Sequence, residues 1–100
     1  MAVRESMQEK VRTGMRLPRQ YRVLIYNDDF TPMDFVVEIL VQIFDKDLEA
    51  AVELMLSVHH GSYAVAGIYP RDMAQTKAAE AVRRARAQGY PLKVEAVCQP

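Results

Sequence analysis

Among 100 residues the chain has one cysteine, no tryptophan and only four glycines. The lone Cys98 excludes an internal disulfide framework and suits a reducing compartment, so a small core must hold without covalent staples. No run approaches the ~18 consecutive apolar residues of a membrane-spanning helix. The opening stretch MAVRESMQEKVRTGMRLPRQ lacks the apolar block of a secretory signal. Glycine-rich phosphate loops, Cys-x-x-Cys pairs and metalloprotease helices are likewise absent. Neither sign of charge prevails: thirteen Lys and Arg oppose thirteen Asp and Glu. That balance argues against bulk electrostatic capture of nucleic acid or anionic lipid. These absences lead us to expect a small soluble cytoplasmic domain with no nucleic-acid or membrane partner.

Half the residues are apolar, enough for one core and too few for two. The charge is unevenly spread. Residues 1–20 carry Arg4, Lys10, Arg12, Arg16 and Arg19 against Glu5 and Glu9, whereas the remainder is net acidic. Residues 1–20 show no sustained apolar period, and Gly14, Pro18 and the charges favour a flexible N-terminal arm. The folded core is therefore expected over residues 21–98.

Tyr21–Tyr26 is short and rich in β-branched and aromatic residues, so it reads as a strand. Asn27, Asp28 and Asp29 break it, because their side chains bond nearby backbone and favour turns. Thr31 as cap and Pro32 in the first turn predict a helix running to about Phe44. A second helix is expected from Asp47, a good N-cap, to His60, with Gly61 offering a left-handed cap. Ser62–Tyr69 reads as a strand, with Gly67 marking a bulge or a close backbone approach. Pro70 opens a third helix that ends at Gly89, and Leu92–Val97 forms a last strand. The order β-α-α-β-α-β predicts an α+β fold, a three-stranded, mostly antiparallel sheet packed against three helices.

The first two helices carry more apolar surface than a surface helix needs. In the first, the polar residues Asp34, Glu38 and Gln42 form one narrow stripe; in the second, Glu49, Glu53 and Ser57 do so. These helices must either pack on each other as well as on the sheet, or line an apolar cavity. Met33 and Met55 suit a cavity, since methionine adapts to varied apolar partners. The third helix has a mainly alanine stripe, Ala74, Ala78, Ala81, Val82 and Ala85, fit for close packing on the sheet.

Few residues suit chemistry. The Asn27-Asp28-Asp29 run sits at a strand-to-helix turn, where turn formation alone explains it. His59 and His60 end the second helix, where a histidine complements the helix dipole. Adjacent histidines project ~100° apart and rarely share one ion, so neither a metal nor any cofactor is expected. Cys98 lies three residues from the end, a poor place for a nucleophile that needs an oriented base.

The segment Tyr26-Asn-Asp-Asp-Phe-Thr-Pro-Met-Asp-Phe-Val36 closely resembles the signature of the ClpS adaptor family. Leu54-Met-Leu-Ser-Val-His59 resembles its second block and Ala74-Gln-Thr-Lys77 its third, while Pro91-Leu92 is similar to its last-strand entry. The resemblance spans roughly residues 20–95. It implies a non-enzymatic adaptor that binds substrates with a bulky hydrophobic N-terminal residue (Leu, Phe, Tyr or Trp). The adaptor would deliver these N-degron substrates to a Clp AAA+ unfoldase and its peptidase. Carried onto this sequence, the resemblance assigns the substrate's α-amino group to Asn27, Asp28 and His59. It assigns the side-chain pocket to Asp29, Thr31, Met33, Val36, Ile39, Met55, Val58 and Leu92. Asp72, Thr76 and Lys77 would face the unfoldase N-terminal domain, and residues 1–20 would engage the unfoldase during handover.

The chain departs from the family pattern at His60-Gly61, Ala66-Gly67, Pro70, Gln75 and Lys93-Val94. The pocket residues survive while the unfoldase face is altered, as in a diverged second copy. Two other readings stand beside this one. The C-terminal domain of the ribosomal stalk protein has a similar arrangement and would need no pocket. An acid-base enzyme using His59 with Asp28 would need an oxyanion or phosphate site besides.

Overall fold

A computed structural model describes residues 19–99. The predicted arm falls almost entirely outside the described residues, and Gln20 already belongs to the first strand. The elements are β1 (Gln20–Tyr26), α1 (Met33–Gln42), α2 (Leu48–His60), β2 (Tyr63–Pro70), α3 (Arg71–Ala87) and β3 (Val94–Cys98). The sheet has the order β2-β1-β3, with β1 central. Both pairings are antiparallel, so the α+β architecture is as expected and the sheet is antiparallel throughout.

The helices cover one face of this sheet. Strand alternation sends Val23 and Ile25 of β1, Ala66 of β2 and Val94 of β3 into the core. Against them pack Val36, Ile39, Leu40, Ile43 and Phe44 from α1 and the segment after it, with Ala51 and Val58 from α2. Ala74, Ala78, Ala81 and Ala85 of α3 are buried as the alanine stripe predicts, while Val82 is half-buried at its border. Small side chains there let the α3 backbone approach the sheet closely. No polar or charged residue is buried among the described residues. The fold thus rests on apolar burial, at ~1.5–3 kcal/mol for each large side chain taken out of water.

Helix and strand ends follow the sequence with four corrections, the first being that the last strand begins at Val94, so that Leu92, expected to open it, lies in the loop before it. Pro32, not Thr31, occupies the N-cap of α1, and no side chain caps it; the Thr31 hydroxyl is drawn instead to Asp28. Helix α1 stops at Gln42, short of Phe44, and Asp45 takes φ 56° in the reversal. Gly61 closes α2 in an extended conformation (φ −114°, ψ −162°) instead of a left-handed one. The left-handed cap belongs to Gly89 after α3, at φ 79°. Asp47 caps α2 as expected, accepting from the Ala50 amide at 2.8 Å.

Of the two expectations for Gly67 the bulge is present, while the close neighbour is the Tyr69 side chain and not a backbone. The register passes from Val23↔Gly67 to Leu24↔Val65, leaving Ala66 as the extra residue of a bulge. A Cβ on Gly67 would stand 2.6 Å from Cε2 of Tyr69, whose ring packs 6.4 Å from that of Phe44. Gly67→Ala should therefore destabilise the protein by ~1–3 kcal/mol, the usual range for overpacking. In a Tyr69→Leu background the penalty should shrink, and urea denaturation of the four proteins of that cycle measures both effects.

Candidate functional site

The end of β1, the turn after it, the start of α1, the end of α2 and the loop before β3 meet around one small cavity of about 40 Å³. A water-sized group takes roughly 10–15 Å³ on this measure, so the cavity admits roughly three such groups, about the tip of a Leu or Phe side chain. Its polar rim is made by Tyr26, Asn27, Asp28, Thr31 and His59. Its apolar wall is made by Met33, Val36, Met55, Val58 and Leu92. Val36, Val58 and Leu92 are buried, whereas Met33 is 47% exposed and stands at the mouth.

Asp28 organises the rim. Its Oδ1 accepts hydrogen bonds from the Phe30 amide at 2.8 Å and the Thr31 amide at 2.7 Å. Its Oδ2 accepts from the Thr31 hydroxyl at 2.8 Å. Partial burial pushes the Asp28 carboxyl up. The Thr31 hydroxyl, the Thr31 and Phe30 amides and the charge of Arg86 outweigh it and hold the group below the usual carboxylate range. Asp28 is therefore a carboxylate at neutral pH. An ionised carboxylate has roughly four acceptor sites; three are occupied by the turn, and the one left on Oδ2 can take a cationic donor.

The other rim residues are held by equally local causes. The Asn27 amide nitrogen donates to the His59 carbonyl at 3.5 Å, tying the end of β1 to the end of α2 and leaving Oδ1 as an acceptor. The Asn27 backbone N–H donates to Ser62 at 3.0 Å. The Tyr26 hydroxyl donates to Glu95; that bond, burial and the Glu95 charge push the phenol up and keep it a donor. Lys93 lies over the Tyr26 ring at 4.7 Å. His59 and His60 meet edge to face at 5.2 Å, and among the described residues no group of three potential ligands is placed to hold a metal.

Of the eleven residues expected at the amino site and pocket, nine line this cavity; Asp29 and Ile39 do not. Asp29 is exposed, because the turn bends back through Asp28 and leaves its successor outside. Ile39 lies one turn further along α1 than Val36, ~4.5 Å deeper, and is wholly enclosed in the core. Tyr26 was not among the expected residues, although its position directly before Asn27 was a usable signal. The apolar excess of α1 and α2 serves both purposes foreseen for it, since the helices pack on each other and Val36, Met55 and Val58 also face the cavity. Asp72 and Thr76 are exposed on α3. Lys77 is largely covered and donates to the Ile43 carbonyl at 2.5 Å, with Asp45 at 3.4 Å, so it closes the end of α1.

Comparison with known proteins identifies relatives of the whole domain. Residues 16–95 match the family described as ATP-dependent Clp protease adaptor protein ClpS. The ATP-dependent Clp protease adapter protein ClpS of Deinococcus radiodurans is 49% identical over 85 residues, 85% of this chain and 75% of that protein. That of Nitratidesulfovibrio vulgaris is 51% identical over 83 residues, 83% of this chain and 80% of the relative. Agrobacterium tumefaciens ClpS2, solved bound to L-phenylalaninamide, aligns with a TM-score of 0.80 at 32% identity, over 83% of this chain and 100% of that one.

The Asp28 turn has a measurable consequence. Because its carboxyl is held below the ordinary value of ~3.9, its contribution to stability is present above that pH and is lost as pH falls through the lowered value. Asp28→Ala should cost ~1–2 kcal/mol at pH 7. The difference from wild type should narrow as pH falls below the ordinary carboxylate value, as read by denaturant titration at neutral and at acid pH.

Proposed function

This chain belongs to the ClpS family, adaptors of the ATP-dependent Clp protease, and from that premise we propose that it binds protein N-termini that begin with Leu, Phe, Tyr or Trp. The observation that carries the reading is one juxtaposition: a carboxylate, an amide oxygen and an imidazole rim an apolar cavity. A free α-amino group, with pKa ~7.7–8.0, is mostly cationic at neutral pH and seeks such acceptors. Asp28 supplies the charge, and Asn27 and His59 the flanking acceptors. The first side chain then enters between Met33, Val36, Met55, Val58 and Leu92, with Thr31 at the edge. L-phenylalaninamide, the molecule bound to the Agrobacterium relative, unites these two features, a free amino group and a bulky apolar side chain.

Magnitudes support the reading. Hydrogen bonds to charged groups contribute ~1.5–3 kcal/mol each, and burial of a Leu or Phe side chain ~1.5–3 kcal/mol more. After the costs of association, affinity in the micromolar range or somewhat tighter follows. No covalent step is needed, so the protein acts as a cytoplasmic adaptor and not as an enzyme. The exposed face of α3 with Asp72 and Thr76 meets the N-terminal domain of the AAA+ unfoldase, and residues 1–20 take part in handover. Lys77 contributes there through the α1 terminus it holds.

Fluorescence anisotropy tests the amino site. A Leu-initiated peptide should bind, and its N-acetylated twin, which loses the charge and two donors, should not. Asp28→Ala and His59→Ala should each weaken binding at least ~10-fold. Equal affinity for free and acetylated peptides would refute the reading.

Met33 governs which side chains enter. It stands at the mouth beside the substrate's first β-carbon, where Ile and Val carry two heavy substituents and are stiff at χ1. Its thioether should exclude them by ~1–3 kcal/mol. Met33→Ala should admit Ile- and Val-initiated peptides while weakening Leu and Phe only modestly. A mutant that keeps the wild-type Leu/Ile ratio would show that the buried walls discriminate instead.

A further inference from the structure

We propose that Arg86, in the last turn of α3, is a positioning residue that braces the loop between α3 and β3 and so sets the floor of the pocket. The proposal rests on the reading of that pocket as the site for an N-terminal side chain. Leu92 is the floor: it is 1% exposed and comes from a stretch with no regular secondary structure, between Ala87 and Val94. Pro91 precedes it and has no backbone N–H, so the loop cannot hold itself by an amide there. One Nη of Arg86 donates to the carbonyls on either side, Tyr90 at 2.7 Å and Leu92 at 3.0 Å. Neighbouring backbone bonds secure only the flanks: Tyr90 to Ala85 at 2.8 Å, and Tyr26 to Lys93 at 3.0 Å.

The brace spans the two halves of the site. Arg86 belongs to α3, which alone of the three described helices contributes no residue to the cavity lining, yet it fixes the loop that carries Leu92. Its charge also favours the ionised form of Asp28 on the rim. Removing the guanidinium should let Leu92 shift and loosen the floor, with the acceptors for the amino group left in place. Side-chain discrimination should fall while recognition of the free amino group survives. A residue that only stabilised the fold would weaken every peptide alike.

The test uses full-length wild type, Arg86→Met and Arg86→Lys with peptides beginning Leu, Ala and N-acetyl-Leu. In Arg86→Met the Leu/Ala affinity ratio should fall about fourfold or more, the factor for one poorly buried methylene. The free/acetylated ratio should stay within about twofold of wild type. Arg86→Lys keeps the charge but is one bond shorter and cannot reach both carbonyls, so its Leu/Ala ratio should also drop. Should the Met variant not fold, Lys carries the comparison. Hydrogen exchange supplies a readout independent of peptides: the Tyr90 amide should exchange faster in either variant. An unchanged Leu/Ala ratio in a folded variant, or unchanged Tyr90 exchange, overturns the brace. Failure of wild type to tell free from acetylated Leu would instead overturn the pocket reading, while faster Tyr90 exchange would still uphold the brace.

Discussion

The site depends on a single carboxylate that is asked to do two things. Asp28 closes the turn after β1 by accepting from Phe30 and Thr31, and that turn aims α1 so that Met33 and Val36 reach the cavity. The bonds that shape the backbone also keep the carboxyl ionised, as a cationic ligand requires. Turn chemistry and ligand recognition are therefore not rival explanations of the Asn-Asp-Asp run. The turn preorganises the charge, and little reorganisation is left for the moment of binding.

Around that turn the apolar surface divides. On the sheet side, α3 offers alanines that are buried against the strands and lines no part of this cavity. On the other side, α1 and α2 present larger side chains that cannot all interdigitate. Val36, Met55 and Val58 are left facing a gap that Leu92 closes from below. Other members of the excess, such as Leu48 at 67% exposure and Leu56 at 41%, stay in water. Wide apolar coverage of a helix thus has three outcomes in one small domain: core, pocket wall and open surface. Periodicity does not separate them, because all three share the same spacing.

Much of the fold was legible along the chain for reasons local to it. Alternation and β-branched residues mark β1, Asp47 marks the start of α2, Gly67 marks the bulge, and the alanine stripe marks the buried face of α3. These signals act within a few residues of themselves. Two of the departures come from a particular side-chain bond that prevails over a residue's usual preference, one from within the turn and one from far along the chain. Thr31 was expected to cap α1, but its hydroxyl bonds the Asp28 carboxylate. At the end of α1, Lys77, thirty-four residues on from Ile43, donates to the Ile43 carbonyl just past the last helical residue.

The candidate site shows the same division. Residue types and their family resemblance picked out Asn27, Asp28, His59 and most of the wall, since the order strand, acidic turn, apolar helix, histidine is written in the sequence. Tertiary structure decided which of them face one cavity: Tyr26 enters, Asp29 turns to solvent, and Ile39 sinks a helical turn too deep. The Arg86 bonds to the Tyr90 and Leu92 carbonyls are local, four and six residues on, yet residue type did not reveal them, because an arginine near a helix C-terminus suits the dipole wherever its side chain ends. Turns, caps and hydrophobic period set the local geometry and can be read along the chain. Which side chains meet around the cavity follows from the packing of β1, α1, α2 and the loop before β3, because that contact depends on crossing angles and depths that no single segment encodes.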